Sequence, residues 1–297
     1  MPVPCVSVVV AAKNEELHVE DALRSILGQQ GVTLELIFVD DSSEDGTPGI
    51  VTRLAQEDPR IRVMRNPRRG KVAAFNEGVA AATGRFVCIF AGDDIMPPGS
   101  LAARHDAIAG TDDALPVVGV SKLVTMSDVK RFDGHLIPRA PGRGALSGVS
   151  PLMNRRSLAL IFPVPETLPN EDTWMELAVL HLAGLQVIHS DIICCQWRVH
   201  AGNSINMMLP YDRYNERYTA RMRALPLFLE QNRSRLDAEG LRVLNARAHC
   251  ETRRAKGDVL GVATSPVGLV EKLRALSTAH RALYAVRRRV FGLLSGR

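Results

Sequence analysis

Short apolar runs rich in β-branched residues recur through the first 120 residues, each followed by a helical pattern. This alternation constrains the fold more than any other feature of the chain. Val6–Ala12, Leu34–Val39, Ile61–Met64, Arg85–Phe90 and Val117–Val120 read as strands. Between them helical patterns begin near Asn14, Thr47, Gly70 and Pro97-Pro98. Asn14 is expected to cap the first helix, with Glu15 and Glu16 in its first turn. Strands separated by single helices imply right-handed βαβ units and a mainly parallel sheet. Near-continuous apolar strands imply that both faces of the sheet are covered. The fold class is therefore α/β, a mainly parallel sheet sandwiched by helices. Ligands of such sheets bind beyond the carboxyl ends of the strands. Three polar clusters fall at those ends: Ala12-Lys13-Asn14, Asp40-Asp41 and Asp93-Asp94.

The remaining chain is less regular. Residues 138–150 are rich in Gly and Pro and read as a mobile loop. Glu171–Ala183 reads as a helix and Gln186–Trp197 as one or two strands. From Tyr211 onward the pattern is helical, with breaks near Asn232–Ser234, Gly257–Gly261 and Ser265-Pro266. The 297 residues suit one large domain, or one domain plus an appendage, and the helical pattern sets residues 207–297 apart from residues 1–206. No apolar run reaches the ~18–20 residues that a bilayer crossing needs. The opening Met-Pro-Val-Pro-Cys does not read as a secretory signal. Five cysteines without a CxxC pair fit a reducing cytoplasm.

Paired carboxylates carry the chemistry. Asp93-Asp94, between Gly92 and Pro97-Pro98, suits Mg²⁺ or Mn²⁺, which take one or two oxygens from protein and the rest from phosphate and water. The same pair could equally cap a helix. Asp41 could accept a hydrogen bond from a base or ribose, or could make an ordinary turn. Lys13, Arg69 and Lys71 could neutralise phosphate. Glu171 or Asp172 could take a proton from an acceptor hydroxyl, or simply cap the helix they start. Arg198 and His200, at the end of the last strand signal, could grip a diphosphate or a metal.

Taken in order, these segments resemble glycosyltransferase family 2. The likeness runs from Val6–Glu15 through Val39–Thr47 and Gly70–Gly84 to Phe90–Asp94. It continues at Glu171-Asp172 and at Arg198–His200 with Asn203 and Ser204, covering roughly residues 3–206. The resemblance implies a GT-A-type, Rossmann-like fold and inverting transfer of a sugar from a nucleotide-sugar donor, with UDP as the expected nucleotide. It implies that Asp41 contacts the base, helped by the backbone near Ala11, by Lys13 and by the neighbouring Glu15. Asp93 and Asp94 would serve ribose, diphosphate and metal, Asp94 being the more direct ligand, with His200 and Arg198 opposite. Asp172 would be the base and Glu171 its neighbouring alternative. Ala91 departs from the family's commoner aspartate, and Lys13 stands where an aromatic or another residue is usual. The implied acceptor is a glycan or a lipid-linked glycan of bacterial surface polysaccharide or glycolipid synthesis.

Charge separates the two parts of the chain. Residues 206–297 hold 18 Lys/Arg against 8 Asp/Glu, whereas residues 1–205 hold 19 against 24. Val270, Leu273, Leu276, Leu283, Val286, Val290 and Leu294 recur at helical spacing among arginines. Such a helix can lie on an anionic membrane at the inner face of the cell, or pack its apolar stripe on the protein. Two other functions compete with transfer. A nucleotidyltransferase would want a glycine-rich phosphate loop where Ala11-Ala12-Lys13-Asn14 stands. A basic nucleic-acid binder would want a nucleic-acid-binding motif, and none is found in the chain. No GxGxxG follows a strand, which disfavours a nicotinamide dehydrogenase.

Overall fold

The computed structural model describes residues 4–199 and 209–294. The chain divides into two compact units, Met1–Val179 with Gly184–Val199, and Leu180–Ala183 with His200–Arg297.

The first unit is built on one sheet of β1 (Val6–Ala12), β2 (Leu34–Asp40), β3 (Ile61–Arg65), β4 (Phe86–Ala91), β5 (Val117–Met126), β6 (Leu136–Ile137), β7 (Leu152–Asn154) and β8 (Gln186–Arg198). Their order is β3-β2-β1-β4-β7-β5-β6, with β8 beside β5. The first four strands and the β5–β8 pair are parallel, and the contacts of β7 and β6 are antiparallel. Six helices accompany them: α1 (Val19–Leu27), α2 (Thr47–Glu57), α3 (Lys71–Ala81), α4 (Ser100–Ala109), α5 (Arg155–Ile161) and α6 (Asp172–His181).

The period of two along β1 sorts its side chains. Val6, Val8, Val10 and Ala12 join one buried cluster with Leu23 and Ile26 of α1 and Val51 and Leu54 of α2. Val9 points to the other face, where a Cβ on Gly78 of α3 would lie 2.3 Å from its Cγ1. Glycine at 78 therefore lets α3 press directly on β1. Each such buried aliphatic contributes roughly 1.5–3 kcal/mol. Because β2 lies on one side of β1 and β4 on the other, the strand order reverses at β1/β4. That is where such sheets open a crevice.

Several boundaries differ from the sequence reading. α1 starts at Val19, not near Asn14. Asn14 adopts a left-handed φ of 56° and accepts a hydrogen bond from the Glu44 N–H at 2.8 Å, so bonding between loops displaces the expected cap. β5 runs on to Met126 because its second half pairs with β6 and β8. α4 starts at Ser100, after Gly99 at φ 73°, rather than at the two prolines. The segment 138–150, expected to be mobile, is tied along its length. Gly142 N–H donates to Asp191, Ala145 N–H to the Ser121 carbonyl and Gly148 N–H to Asp172.

The second unit contains α7 (Tyr211–Met222), α8 (Ala224–Asn232), α9 (Ala238–Ala255), α10 (Val259–Ala263), α11 (Leu269–Ala279) and α12 (Arg281–Leu294). The single helical stretch expected over 267–294 is two helices, broken where His280 turns extended. Arg254 of α9, with no exposed side-chain surface, donates to Glu251, Asn215, Thr219 and the Thr278 carbonyl and stacks 4.7 Å from the Tyr218 ring. No helix among the described residues is long and apolar enough to cross a membrane.

Candidate active site

Strand register sets the site. Ala12 pairs with Asp40, and Ala11 pairs with both Val39 and Ala91. Lys13, Asp41 and Gly92 are thus one step past the ends of neighbouring strands, on one rim. The chain leaves β1 and β2 through left-handed residues, Asn14 and Ser42, the latter at φ 62°. These turns interlock through Asn14 N–H to Ser43 Oγ at 3.0 Å and Glu15 N–H to Thr47 Oγ1 at 2.8 Å. A Cβ at Gly92 would lie 2.6 Å from the Ala12 Cβ, so only glycine lets the turn after β4 come this close to β1.

Asp41 is buried and held at the start of α3. Its Oδ1 accepts from Asn66 Nδ2 at 2.7 Å and from Gly70 N–H at 2.9 Å. Gly70 has φ 117°, a backbone open essentially to glycine alone. The next residue, Lys71, points its ammonium at Glu171, with Nζ to Oε1 at 3.0 Å. Gly70-Lys71 therefore links a carboxylate at the end of β2 to one at the start of α6.

Lys71 is surrounded by negative charge. Lys71 keeps 46% of its side-chain surface exposed; desolvation by the surrounding protein works against its proton, but the fields of Glu171, Asp172 and Asp93 outweigh that and hold its pKa above the ordinary lysine value. Burial raises Glu171 above the usual carboxylate range, and Lys71 opposes the rise. Glu171 is 2% exposed, and its Oε2 finds no partner among the described residues. Asp172 is more open. Its Oδ1 accepts from Gly148 N–H at 2.7 Å and its Oδ2 from Asn170 Nδ2 at 3.2 Å. A Cβ at Gly148 would meet that same Oδ1 at 2.7 Å, so glycine is needed there too.

Asp93 and Asp94 differ in burial. Asp94 is 2% exposed. It accepts from the Arg198 backbone N–H at 2.8 Å and from the Cys195 thiol at 3.3 Å. Burial first, then the charge of Asp93, pushes its pKa up to about 7. Asp93 is only partly buried, and Arg198 Nε donates to its carbonyl at 2.7 Å. A two-way backbone bridge between Ile95 and Gln196 brings the end of β8 to this turn.

The structure thus gathers Asp41, Lys71, Asp93, Asp94, Glu171, Asp172 and Arg198 around one rim. Lys71, expected to meet phosphate, is already engaged by Glu171. Arg198, expected opposite the metal, grips the Asp93-Asp94 turn itself. Asp94, expected as the more direct metal ligand, is the more enclosed of the pair. Ala11 is buried, Glu15 partly buried and Lys13 exposed on the same rim. His200, Asn203 and Ser204 lie outside the described residues. Asn66, Gly70, Gly148, Asn170 and Cys195 were missed by sequence reading. Of these only Gly70, as a glycine before a helical pattern, carried a local signal.

Two carboxylates pressed together with the inner one pushed toward neutrality form a donor set that a hard cation would relieve. No group of three or more His, Cys, Asp or Glu side chains among the described residues forms a metal cage. The residues therefore fit Mg²⁺ or Mn²⁺ shared with phosphate oxygens.

Residues 7–136 match the model of Glycosyl transferase family 2. The succinoglycan biosynthesis protein ExoO of Rhizobium meliloti is 42% identical over 134 residues, covering 45% of this chain and 36% of that protein. The GalNAc(5)-diNAcBac-PP-undecaprenol beta-1,3-glucosyltransferase of Campylobacter jejuni is 35% identical over 101 residues, 33% of each chain. The matched stretch thus spans about a third of these relatives. TarS 1-349 of S. aureus, solved with UDP-GlcNAc, superposes with a TM-score of 0.58 at 18% identity, covering 95% of this chain and 83% of its own. The mannosyltransferase PcManGT of Pyrobaculum calidifontis, solved with GDP-Man and Mn²⁺, gives 0.59 at 19%, covering 99% and 81%. At such identities the structural likeness is one of fold, and that fold is GT-A. Residues 7–136, which carry Asp41, Lys71, Asp93 and Asp94, are thus the stretch of this chain that is similar to glycosyl transferase family 2.

Proposed function

We propose that this protein is a divalent-metal-dependent, inverting glycosyltransferase, that residues 1–206 form its catalytic domain, and that it takes a UDP-linked sugar to a glycan or lipid-linked acceptor hydroxyl in surface polysaccharide or glycolipid synthesis. One observation carries the reading: carboxylates from the turn after β4 (Asp93) and the start of α6 (Glu171, Asp172) surround Lys71, and Asp41 at the end of β2 holds the neighbouring Gly70 N–H. The UDP-GlcNAc held by TarS supports the donor, and the names of the Rhizobium and Campylobacter relatives support the acceptor class.

In this reading Asp41, the backbone near Ala11, Lys13 and Glu15 receive the nucleoside. Asp93, the more open carboxylate, meets the metal and ribose. Asp94 holds the turn, which Arg198 braces through its backbone N–H and Nε. A bound Mn²⁺ or Mg²⁺ would neutralise the diphosphate as it leaves. Lys71 stays protonated and adds a fixed positive charge between the donor and the base. Asp172 is only partly buried at the start of α6, its Oδ1 held in place by Gly148 N–H. It takes the acceptor proton as the acceptor oxygen bonds to the anomeric carbon and the bond to the diphosphate oxygen breaks on the opposite face. Glu171 is less suited to that step, because its carboxyl is enclosed and committed to Lys71. The protein would work at the cytoplasmic face of the membrane, with the cationic C-terminal extension in contact with it.

The test is thermal unfolding with UDP and Mn²⁺, followed by a panel of nucleotide sugars. Ligand at about 100 times its Kd should add roughly 2.7 kcal/mol of stability. Hydrolysis of the preferred nucleotide sugar should disappear in Asp94→Ala and Asp93→Ala. Unchanged hydrolysis in both variants would remove the metal assignment.

A further inference from the structure

α11 is packed the wrong way round for a helix that meets only water. Its buried residues are small: Ala275, Thr278 and Ala279. Three of its large apolar residues face outward, Leu269 and Val270 each 72% exposed and Leu273 57% exposed. At 100° per residue, Leu269, Leu273 and Val270 span one arc of about 100°, on the side away from Ala275 and Thr278, while Leu276 is partly buried and packs on the core with Cys250 and Val262. Lys272 and Arg274 fall outside the two edges of that arc. Leu260, 80% exposed, adds a further apolar side chain from α10, which packs against α11.

A soluble helix normally turns its apolar arc inward. Here the small inward face lets α11 sit close to α9 and α12, and the apolar arc is left outside. An apolar face bordered on both edges by long cationic side chains matches the headgroup boundary of an anionic bilayer. The apolar residues can enter the acyl region while lysine and arginine reach lipid phosphates. A second copy of the same face would bring like charges together, which disfavours self-association.

We propose that the outward face of α11, together with Leu260, docks on an anionic lipid surface. This deepens the membrane contact proposed above, rests on it, and places the contact on α11 rather than on the arginines of α12.

The experiment is co-sedimentation of the full chain with vesicles of phosphatidylcholine alone or mixed with phosphatidylglycerol. Wild type should bind the mixed vesicles, bind neutral ones far less, and be released by salt. Leu269→Ser with Leu273→Ser, and separately Lys272→Gln with Arg274→Gln, should each weaken binding roughly tenfold or more. Leu269, Leu273 and Arg274 are exposed and Lys272 is only partly buried, so circular dichroism and UDP-dependent thermal stabilisation should stay as in wild type. Arg287→Gln with Arg288→Gln should cost much less. The idea is overturned if wild type ignores anionic vesicles, or if the α11 variants bind as wild type does. It is also overturned if sedimentation velocity without lipid finds a dimer that the leucine variants abolish. Vesicle binding that persists while wild type hydrolyses no nucleotide sugar would support the docking and remove only the enzymatic reading.

Discussion

Both units bury charge, but they do so in opposite ways. In the second unit Arg254 is enclosed, and every guanidinium N–H meets an acceptor: Glu251, Asn215, Thr219 or the Thr278 carbonyl. In the first unit Glu171 is enclosed with one oxygen on Lys71 and the other without a partner among the described residues. Asp94 is enclosed, and burial first, then the charge of a second carboxylate beside it, pushes its pKa up to about 7. A saturated buried ion serves the fold, because removing one partner strands the other. A buried carboxylate left under-compensated costs stability and gains a shifted proton affinity, which is a mark of sites that do chemistry. The difference separates a structural charge from a working one without reference to any relative.

The largest effect should be on turnover. Asp172→Asn keeps the size of the side chain and its place near Gly148 but cannot accept a proton. It should lower transfer by roughly 10²–10⁴-fold while UDP–Mn²⁺ stabilisation persists. Full transfer by this variant would end the base assignment. Next comes stability. Arg254→Ala should cost roughly 3–5 kcal/mol in urea unfolding, because Glu251 is left buried and unpaired. Glu171→Gln should fall within about 1 kcal/mol of wild type or be stabilising. Equal losses in the two variants would erase the distinction drawn above.

The smallest effect is in the pH dependence, and the two units should show opposite signs. Glu171 has a folded pKa raised above its ordinary 4.5, so the folded chain keeps that proton longer than the unfolded one. Its contribution is present at low pH and is lost as pH rises above about 4.5. His181, in the second unit, has a pKa lowered from 6.5 by burial and by the charge of Arg247. Its contribution is present above 6.5 and is lost as pH falls through the window below. Glu171→Gln should flatten the first slope and His181→Asn the second, read from unfolding midpoints across pH. A wild-type slope surviving either substitution would show that another group produces it.

The strands were readable because each is a continuous apolar run closed by a polar cluster. β1, β2 and β4 lie within one or two residues of their expected ends. The errors came where a distant segment decided the outcome. Asn14 lost its capping role to a loop 30 residues away. β5 gained its second half from β8, and the Gly/Pro-rich stretch 138–150 was tied down by acceptors from β5, β8 and α6. In the second unit the amphipathic repeat after residue 267 was correct as helix. Its spacing does not tell which side is inward, and the small residues took that side.

The alternation of strand and helix, the rim on which the carboxylates at the strand ends collect, and the charge contrast between the two parts follow from the sequence alone. They depend on residue type and near-neighbour spacing. Which carboxylate is enclosed and which stays open was settled only by the tertiary structure. The Asp94 environment is made by Cys195 and Arg198, 101 and 104 residues further along. That of Glu171 is made by Lys71. Burial and proton affinity arise from groups brought together by packing, and no local pattern encodes them.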